Sequence, residues 1–201
     1  MTLDLPPRPP LRGEAKLRAA LRGFAVPVQG RVALDVGASA GGFTRVLLDA
    51  GARRVYAVDA GHGQLLGSLR QDARVVNLEA TNLGVLNTQL VPDIIEVVTI
   101  DVSYLALAAA VVQLASVRLA AGADLVGLVK PMFELRLPRA PRDDASAAEA
   151  GRRAASRIAA AGWTVRGVMP SPVLGARGVP ELLLHAQRGV AEGGERPALG
   201  V

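Results

Sequence analysis

Of the 23 basic residues in this chain, 21 are arginines and only two, Lys16 and Lys130, are lysines. An arginine keeps its proton in a protein, whereas a sheltered lysine can release one and act as a base. Lys16 and Lys130 are therefore candidates for proton chemistry, against the plainer alternative of two persisting surface lysines. A second signal is the run Leu34-Asp-Val-Gly-Ala-Ser-Ala-Gly-Gly-Phe43, which begins inside the apolar stretch Val32–Val36. Its glycines, Gly37, Gly41 and Gly42, allow a sharp turn and a close backbone approach to a ligand. Asp59 ends the next apolar stretch, about twenty residues further on, where a carboxylate can accept hydrogen bonds from ribose hydroxyls. Together these residues point to a ligand with an adenosine-like ribose.

Such residues work only if a scaffold places them. The chain has 201 residues, half of them apolar and 3% aromatic, so Ala, Val and Leu must fill the core of one domain. There is no cysteine and there are two histidines, which argues against disulfides, thiolate or His-rich metal sites and a Cys nucleophile. The net charge of +5 suits a polyanionic partner or a merely solvated basic surface. Neither a signal peptide nor a membrane span is expected, since the longest apolar stretch, 105–129, contains Gln113, Arg118, Gly122 and Asp124. A soluble, cytoplasmic protein with no metal and no membrane partner is the expectation.

Residues 1–12 read as an extended Pro-rich arm and 189–201 as a disordered tail, with strands and helices alternating between them. Helices are predicted over 13–24, 42–50, 63–70, 105–120 and 143–161. Strands are predicted over 32–36, 54–59, 74–78, 94–101, 124–129, 163–168 and 181–187. The Pro/Arg segment 136–143 reads as a mobile loop. Repeated βα units with apolar strands imply an α/β, doubly wound, mostly parallel sheet covered by helices on both faces. Ligands of such sheets bind beyond the carboxyl ends of the strands, where Gly37–Gly42, Asp59, Asp101 and Lys130 all fall.

The loop spacing Gly37-x-x-x-Gly41-Gly42 is not the G-x-G-x-x-G of a dinucleotide site. Its Asp35-x-Gly37 opening is similar to that of S-adenosylmethionine-dependent methyltransferases; a ligand-free turn and a nicotinamide site are the alternatives. The whole run Asp35–Thr44 resembles the first motif of the FtsJ-like RNA 2′-O-methyltransferases, in their hemolysin-A-like (TlyA) branch. Further matches follow in order: Tyr56-Ala-Val-Asp-Ala-Gly-His-Gly-Gln-Leu65, Leu69-Arg-Gln-Asp72, Thr81-Asn82, Thr99-Ile-Asp-Val-Ser103 and Leu128-Val-Lys-Pro-x-Phe-Glu134. The similarity covers roughly 13–188, taken as the methyltransferase domain.

The resemblance implies a Rossmann-like class I methyltransferase fold whose final strand is antiparallel. It implies a catalytic Lys-Asp-Lys-Glu tetrad at Lys16, Asp101, Lys130 and Glu181, and both lysines of the chain fall on its lysine positions. It also implies S-adenosyl-L-methionine as cofactor, held by Asp35, Gly37, Ser39, Gly41, Gly42, Phe43, Asp59, Glu79 and Asp101. Glu79 reads equally as a simple loop charge, and Phe43 equally as core. The implied reaction is methyl transfer to a ribose 2′-hydroxyl of RNA, ribosomal RNA or a ribosomal subunit being the implied partner. Lys130 would take the hydroxyl proton. A free lysine, with a pKa of about 10.4, is protonated at neutral pH; burial and Lys16 favour the neutral amine, Asp101 and Glu181 the ammonium.

Three departures from the family pattern bear on activity and substrate. The motifs begin near residue 13, so the S4-type RNA-binding domain of this branch is expected to be absent. Gly-Val-Pro-Glu181 replaces a Gly-Asn-x-Glu pattern. The stretch after Glu134 is Arg/Pro-rich, where the family has a Gly/Lys-rich loop; Arg136, Arg139, Arg142, Arg152 and Arg153 could track phosphates or simply face water. A cofactor-binding, RNA-associated module without methyl transfer is the alternative function, and a nicotinamide-dependent oxidoreductase a further one.

Overall fold

A computed structural model describes residues 10–175 and 178–189. Most of the expected arm (1–9) and tail (190–201) lies outside the described residues. The chain runs α1 (Arg12–Gly23), β1 (Val32–Val36), α2 (Gly42–Asp49), β2 (Arg54–Val58), α3 (Gly67–Arg70), β3 (Val75–Leu78), a 3-10 turn (Leu83–Val85) and β4 (Ile95–Ile100). It continues with α4 (Leu107–Val112), β5 (Leu119–Val129), α5 (Pro131–Glu134), α6 (Asp144–Ala160), β6 (Trp163–Pro170) and β7 (Leu182–Arg188).

The seven strands form one sheet in the order β3-β2-β1-β4-β5-β7-β6. Neighbours from β3 to β5 are parallel, and β7 runs antiparallel to both β5 and β6. Side chains alternate across a strand, and the core divides accordingly. Val32, Leu34 and Val36 join one buried cluster, with Leu107, Val111, Ala154 and Ile158 of α4 and α6. Ala33 joins the other, with Leu17 of α1 and Phe43, Val46 and Leu47 of α2. The strand order reverses between β1 and β4, and the loops that follow these two strands form the ligand crevice. Among the described residues no helix is long and apolar enough to cross a membrane.

Two expected helices are shorter than the sequence suggests. The predicted 63–70 helix begins only at Gly67, because the backbone N–H groups of Gln64 and Leu65 donate to the Glu79 carboxylate instead of a helical ladder. The predicted 105–120 helix stops at Val112, and the Ala-rich segment from Leu119 becomes the start of β5. Leu119 pairs with Ile95 and Asp124 with Val97, so the intervening residues bulge. Gly122 sits in the bulge at φ +72°, a conformation that favours glycine. Alanine prefers a helix, but pairing along an open strand edge outweighs that local preference.

Candidate active site

The first loop is held from below. Asp35 is fully buried on the α2 side of β1, accepting from the Thr44 hydroxyl at 2.6 Å and the Thr99 hydroxyl at 2.9 Å. Burial pushes its carboxyl up to about 6, against the pull of the two hydroxyls. Asp35 thus ties β1, α2 and β4 together beneath the loop. Gly37 follows at φ +84°, and a Cβ there would run into the Asp101 carbonyl; this lets β1 and β4 converge at the crevice floor.

Ser39 has a positive φ of 48°, unfavourable for a side chain, and the Asp59 carboxylate compensates. Asp59 Oδ2 accepts from the Ser39 backbone N–H at 2.8 Å and Oδ1 accepts from that of Gly61 at 2.7 Å. The resulting cavity, about 270 Å³, is lined by Gly37, Ser39, Asp59, Gln64, Thr81 and Asp101, among others. Glu79 stands behind it: besides Gln64 and Leu65 it accepts from Asn77 and pairs with Arg70 at 3.0 Å. The two backbone N–H groups, Asn77 and Arg70 hold its carboxyl down to about 2.

The second cavity, about 410 Å³, contains the four residues of the expected tetrad. They form two ion pairs. Lys16 Nζ donates to Glu181 Oε2 at 2.6 Å, with both residues less than a tenth exposed. Lys130 Nζ meets Asp101 Oδ1 at 2.6 Å and donates to Ser103 Oγ at 2.7 Å. Each position follows from the fold. Asp101 leaves the end of β4 and Lys130 the end of β5, while Glu181 precedes β7, whose reversed direction brings it to the same rim. Lys16 comes from α1, whose first turn is closed by the Leu11 N–H donating to Glu14 Oε1 at 3.0 Å. Arg12 secures that helix to the loop before Glu181, donating to the carbonyls of Leu174 and Gly175 at 2.9 and 2.8 Å.

Gly37, Ser39, Asp101 and Ser103 line both cavities, so the two form one crevice. A wider groove of about 840 Å³ adjoins it through Met132 and Phe133 and carries Tyr104, Arg136 and Arg157. Of the expected site residues, Lys16, Gly37, Ser39, Asp59, Asp101, Lys130 and Glu181 line the crevice. Asp35, Gly41, Gly42, Phe43 and Glu79 do not line it: Phe43 is core against Gly13, and Gly41 makes room for Leu65 and Leu69. These five stand behind the residues that line the cavities. Arg139, Arg142, Arg152 and Arg153 are exposed and line neither cavity, and Arg152 pairs with Glu149.

Four residues escaped the sequence reading. Ser103, Gln64 and Arg12 line the crevice, and buried Glu134 accepts from the Leu107 backbone N–H at 2.6 Å. Gln64, Ser103 and Glu134 fall inside quoted motifs, which was a usable signal. The partners of Arg12 come from the tertiary fold.

This sheet order, with a reversed β7 and a crevice at the β1/β4 switch, defines a Rossmann-like class I methyltransferase. Its helices cover both faces and its chemistry-bearing residues gather at one rim. A model of the FtsJ-like methyltransferase family matches residues 11–188, and the chain belongs to that family. It is 42% identical over 178 residues to the 16S/23S rRNA (cytidine-2′-O)-methyltransferase TlyA of Mycobacterium tuberculosis strain H37Rv, covering 86% of this chain and 66% of that one. The chain therefore spans just under two thirds of that curated relative's length. A solved structure from Streptococcus thermophilus superposes with a TM-score of 0.83 at 33% identity, covering 92% of this chain and 69% of that one. Aeropyrum pernix fibrillarin, solved with natively bound S-adenosyl-L-methionine, shares the fold, with a TM-score of 0.60 at 19% identity, covering 87% and 76% respectively.

Proposed function

We propose that this chain methylates ribose 2′-hydroxyls of RNA, using S-adenosyl-L-methionine, with ribosomal RNA in the cytoplasm as its substrate. The observation that carries this reading is the meeting of two lysine–carboxylate pairs in a cavity that shares a wall with the Gly37–Asp59 cavity. That cavity suits the cofactor: Gly37 leaves room at the floor, and the Asp59 carboxylate lies where a ribose diol can reach it. Glycine-free or acid-free versions of this loop would fill or discharge the site. Bound there, S-adenosyl-L-methionine supplies a methyl group on a sulfonium and departs as a neutral thioether.

The chain's own task is to make a hydroxyl nucleophilic. Lys130, as the neutral amine, takes the 2′-hydroxyl proton at Nζ as the oxygen–methyl bond forms. The positive charge of the sulfonium thereby ends on the Lys130 ammonium, beside Asp101. Lys16 and Glu181 line the same cavity, where a fixed donor and acceptor can hold the ribose. Such proton transfer is worth about 10²–10⁴ in rate. The net charge of +5 favours encounter with a polyanion. The relatives' naming as rRNA methyltransferases supports ribosomal RNA as the substrate class.

The test is incubation with methyl-labelled S-adenosyl-L-methionine and, separately, total RNA and ribosomal subunits, followed by mapping of the label. Label on a ribose 2′-oxygen is the expected result. Cofactor binding with no transfer to any RNA would support the non-methylating module instead. Tight binding of a nicotinamide dinucleotide would support the oxidoreductase.

A further inference from the structure

We infer that Ser103 is a positioning residue that aims the amine of Lys130, a role resting on the 2′-O-methylation reading above. The Nζ atom of a lysine has four tetrahedral directions, one of them taken by Cε. In this structure two of the remaining three are occupied, by Asp101 Oδ1 at 2.6 Å and Ser103 Oγ at 2.7 Å. A neutral amine has two N–H bonds and one lone pair. If both N–H bonds are donated to Asp101 and Ser103, the lone pair is confined to the last direction, and all three residues line the crevice in which the substrate would sit. One acceptor alone would leave the amine free to turn about the Cε–Nζ bond, with the lone pair aimed at the substrate in only part of the population.

The frame around Ser103 is built to hold that distance. Its loop is tied at one end by the Asp101 backbone N–H, which donates to the Val36 carbonyl at 2.9 Å. At the other end the Leu107 N–H donates to Glu134 Oε1 at 2.6 Å. Glu134 is fully buried and sits four residues beyond Lys130, at the end of α5. The loop bearing the hydroxyl and the turn bearing the lysine are thus fastened to each other. Ser103 itself is exposed on the crevice side, so replacing it does not open the core.

During transfer the 2′-hydroxyl proton moves to the lone pair of Lys130, the methyl–sulfur bond breaks and the methyl–oxygen bond forms. Lys130 then holds three N–H bonds, of which Asp101 and Ser103 already accept two. Ser103 neither gains nor loses a proton overall.

The chain's two lysines make the test direct. Protein labelled with ¹³C at lysine Cε gives two signals, and the Lys130→Arg variant assigns them. Titration of the S-adenosylhomocysteine complex follows each amine without any RNA. Removing a neutral acceptor disfavours the ammonium. In Ser103→Ala the Lys130 signal is therefore expected to titrate lower than in the wild type, by about half a pH unit, with the Lys16 signal unmoved. Ser103→Thr, which keeps the hydroxyl, restores it. Asp59, Asp101, Glu181, Lys16 and Arg12, the other charges lining this crevice, are the same in all three proteins.

In methyl transfer, Ser103→Ala is expected to lower kcat by about 10- to 100-fold, leaving KM for RNA and cofactor affinity within about twofold, and Thr to recover most of it. An unmoved Lys130 titration in Ser103→Ala overturns the assignment, whatever happens to activity. Should the wild type methylate no RNA, the 2′-O-methylation reading fails. The titration would still decide whether Ser103 holds the amine.

Discussion

Lys16 Nζ and Glu181 Oε2 stand 2.6 Å apart, joining α1 to the start of β7 across 165 positions of sequence, with both side chains less than a tenth exposed. A buried pair of this kind contributes little net stability when whole, yet removing one partner strands the other charge, at a cost of about 3–5 kcal/mol. Glu181→Leu and Lys16→Met should each lower the unfolding free energy by that order, as read from denaturant titration. The double variant Lys16→Met/Glu181→Leu should recover much of the loss while remaining inactive. Additive losses in the double variant would show that the pair is not an energetic unit.

Asp59 accepts from two backbone N–H groups, those of Ser39 and Gly61, so it shapes the cavity in which it is proposed to meet a ribose. Asp59→Ala should weaken S-adenosylhomocysteine binding by about 1–3 kcal/mol, the cost of unpaired polar groups, as read by calorimetry. Nicotinamide dinucleotides should give no comparable heat with the wild type. Unchanged affinity in Asp59→Ala would remove this carboxylate from the cofactor site.

The fully buried Asp35 predicts a particular pH dependence of stability. Its carboxyl is raised to about 6 in the folded chain, whereas an unfolded Asp titrates near 3.9. The folded state therefore binds more protons across that window, and its stability falls as pH rises from about 4 through 6. A shift of about two units corresponds to roughly 3 kcal/mol. Asp35→Asn, which keeps the shape and can still bond Thr44 and Thr99, should remove this decline. Parallel curves of unfolding free energy against pH for wild type and variant would refute it.

What the sequence made legible follows the apolar patterning. The run Val32–Val36 and the loop after it read correctly because a continuous apolar strand followed by glycines has few other meanings. The reversed β7 came from family resemblance, since no local pattern encodes the direction of a strand. The 105–120 helix was overread because Ala-rich sequence favours helix wherever no strand edge competes, and β4 supplies such an edge to Leu119. In the site, charged and glycine residues announced themselves by type. Ser103 did not, because a serine after a strand is ordinary until a lysine from β5 arrives beside it. The hydrogen bonds of Asp35 to Thr44 and Thr99 beneath the loop were not legible either, because they depend on the side of β1 on which it falls.

Arg136 lies in the groove beside the crevice, and Arg139 and Arg142 are exposed on the same loop. If these arginines follow an RNA backbone, binding should weaken with salt at a logarithmic slope of about −0.7 per phosphate contact for single strands. Replacing all three by Gln should flatten the slope by up to about 2 while leaving S-adenosylhomocysteine affinity unchanged. A slope equal to the wild type's would return these residues to a solvated face.

Lys130→Arg separates charge from proton chemistry. Arginine keeps a positive charge beside Asp101, and the site, only partly buried, has room for the longer side chain. A guanidinium cannot surrender its proton at working pH, so it cannot receive the one leaving the 2′-hydroxyl. The variant should fold, bind S-adenosylhomocysteine as the wild type does, and lose methyl transfer by about 10²–10⁴-fold. Lys16→Arg should keep more activity, since Lys16 supplies charge and placement through its pair with Glu181, although a larger head must fit a buried site. A chain that uses Arg for nearly every other positive charge would tolerate it at both positions if the lysines were only charges. Equal transfer by wild type and Lys130→Arg, on an RNA shown to be methylated, would remove Lys130 as the base and leave the hydroxyl to be activated by positioning alone.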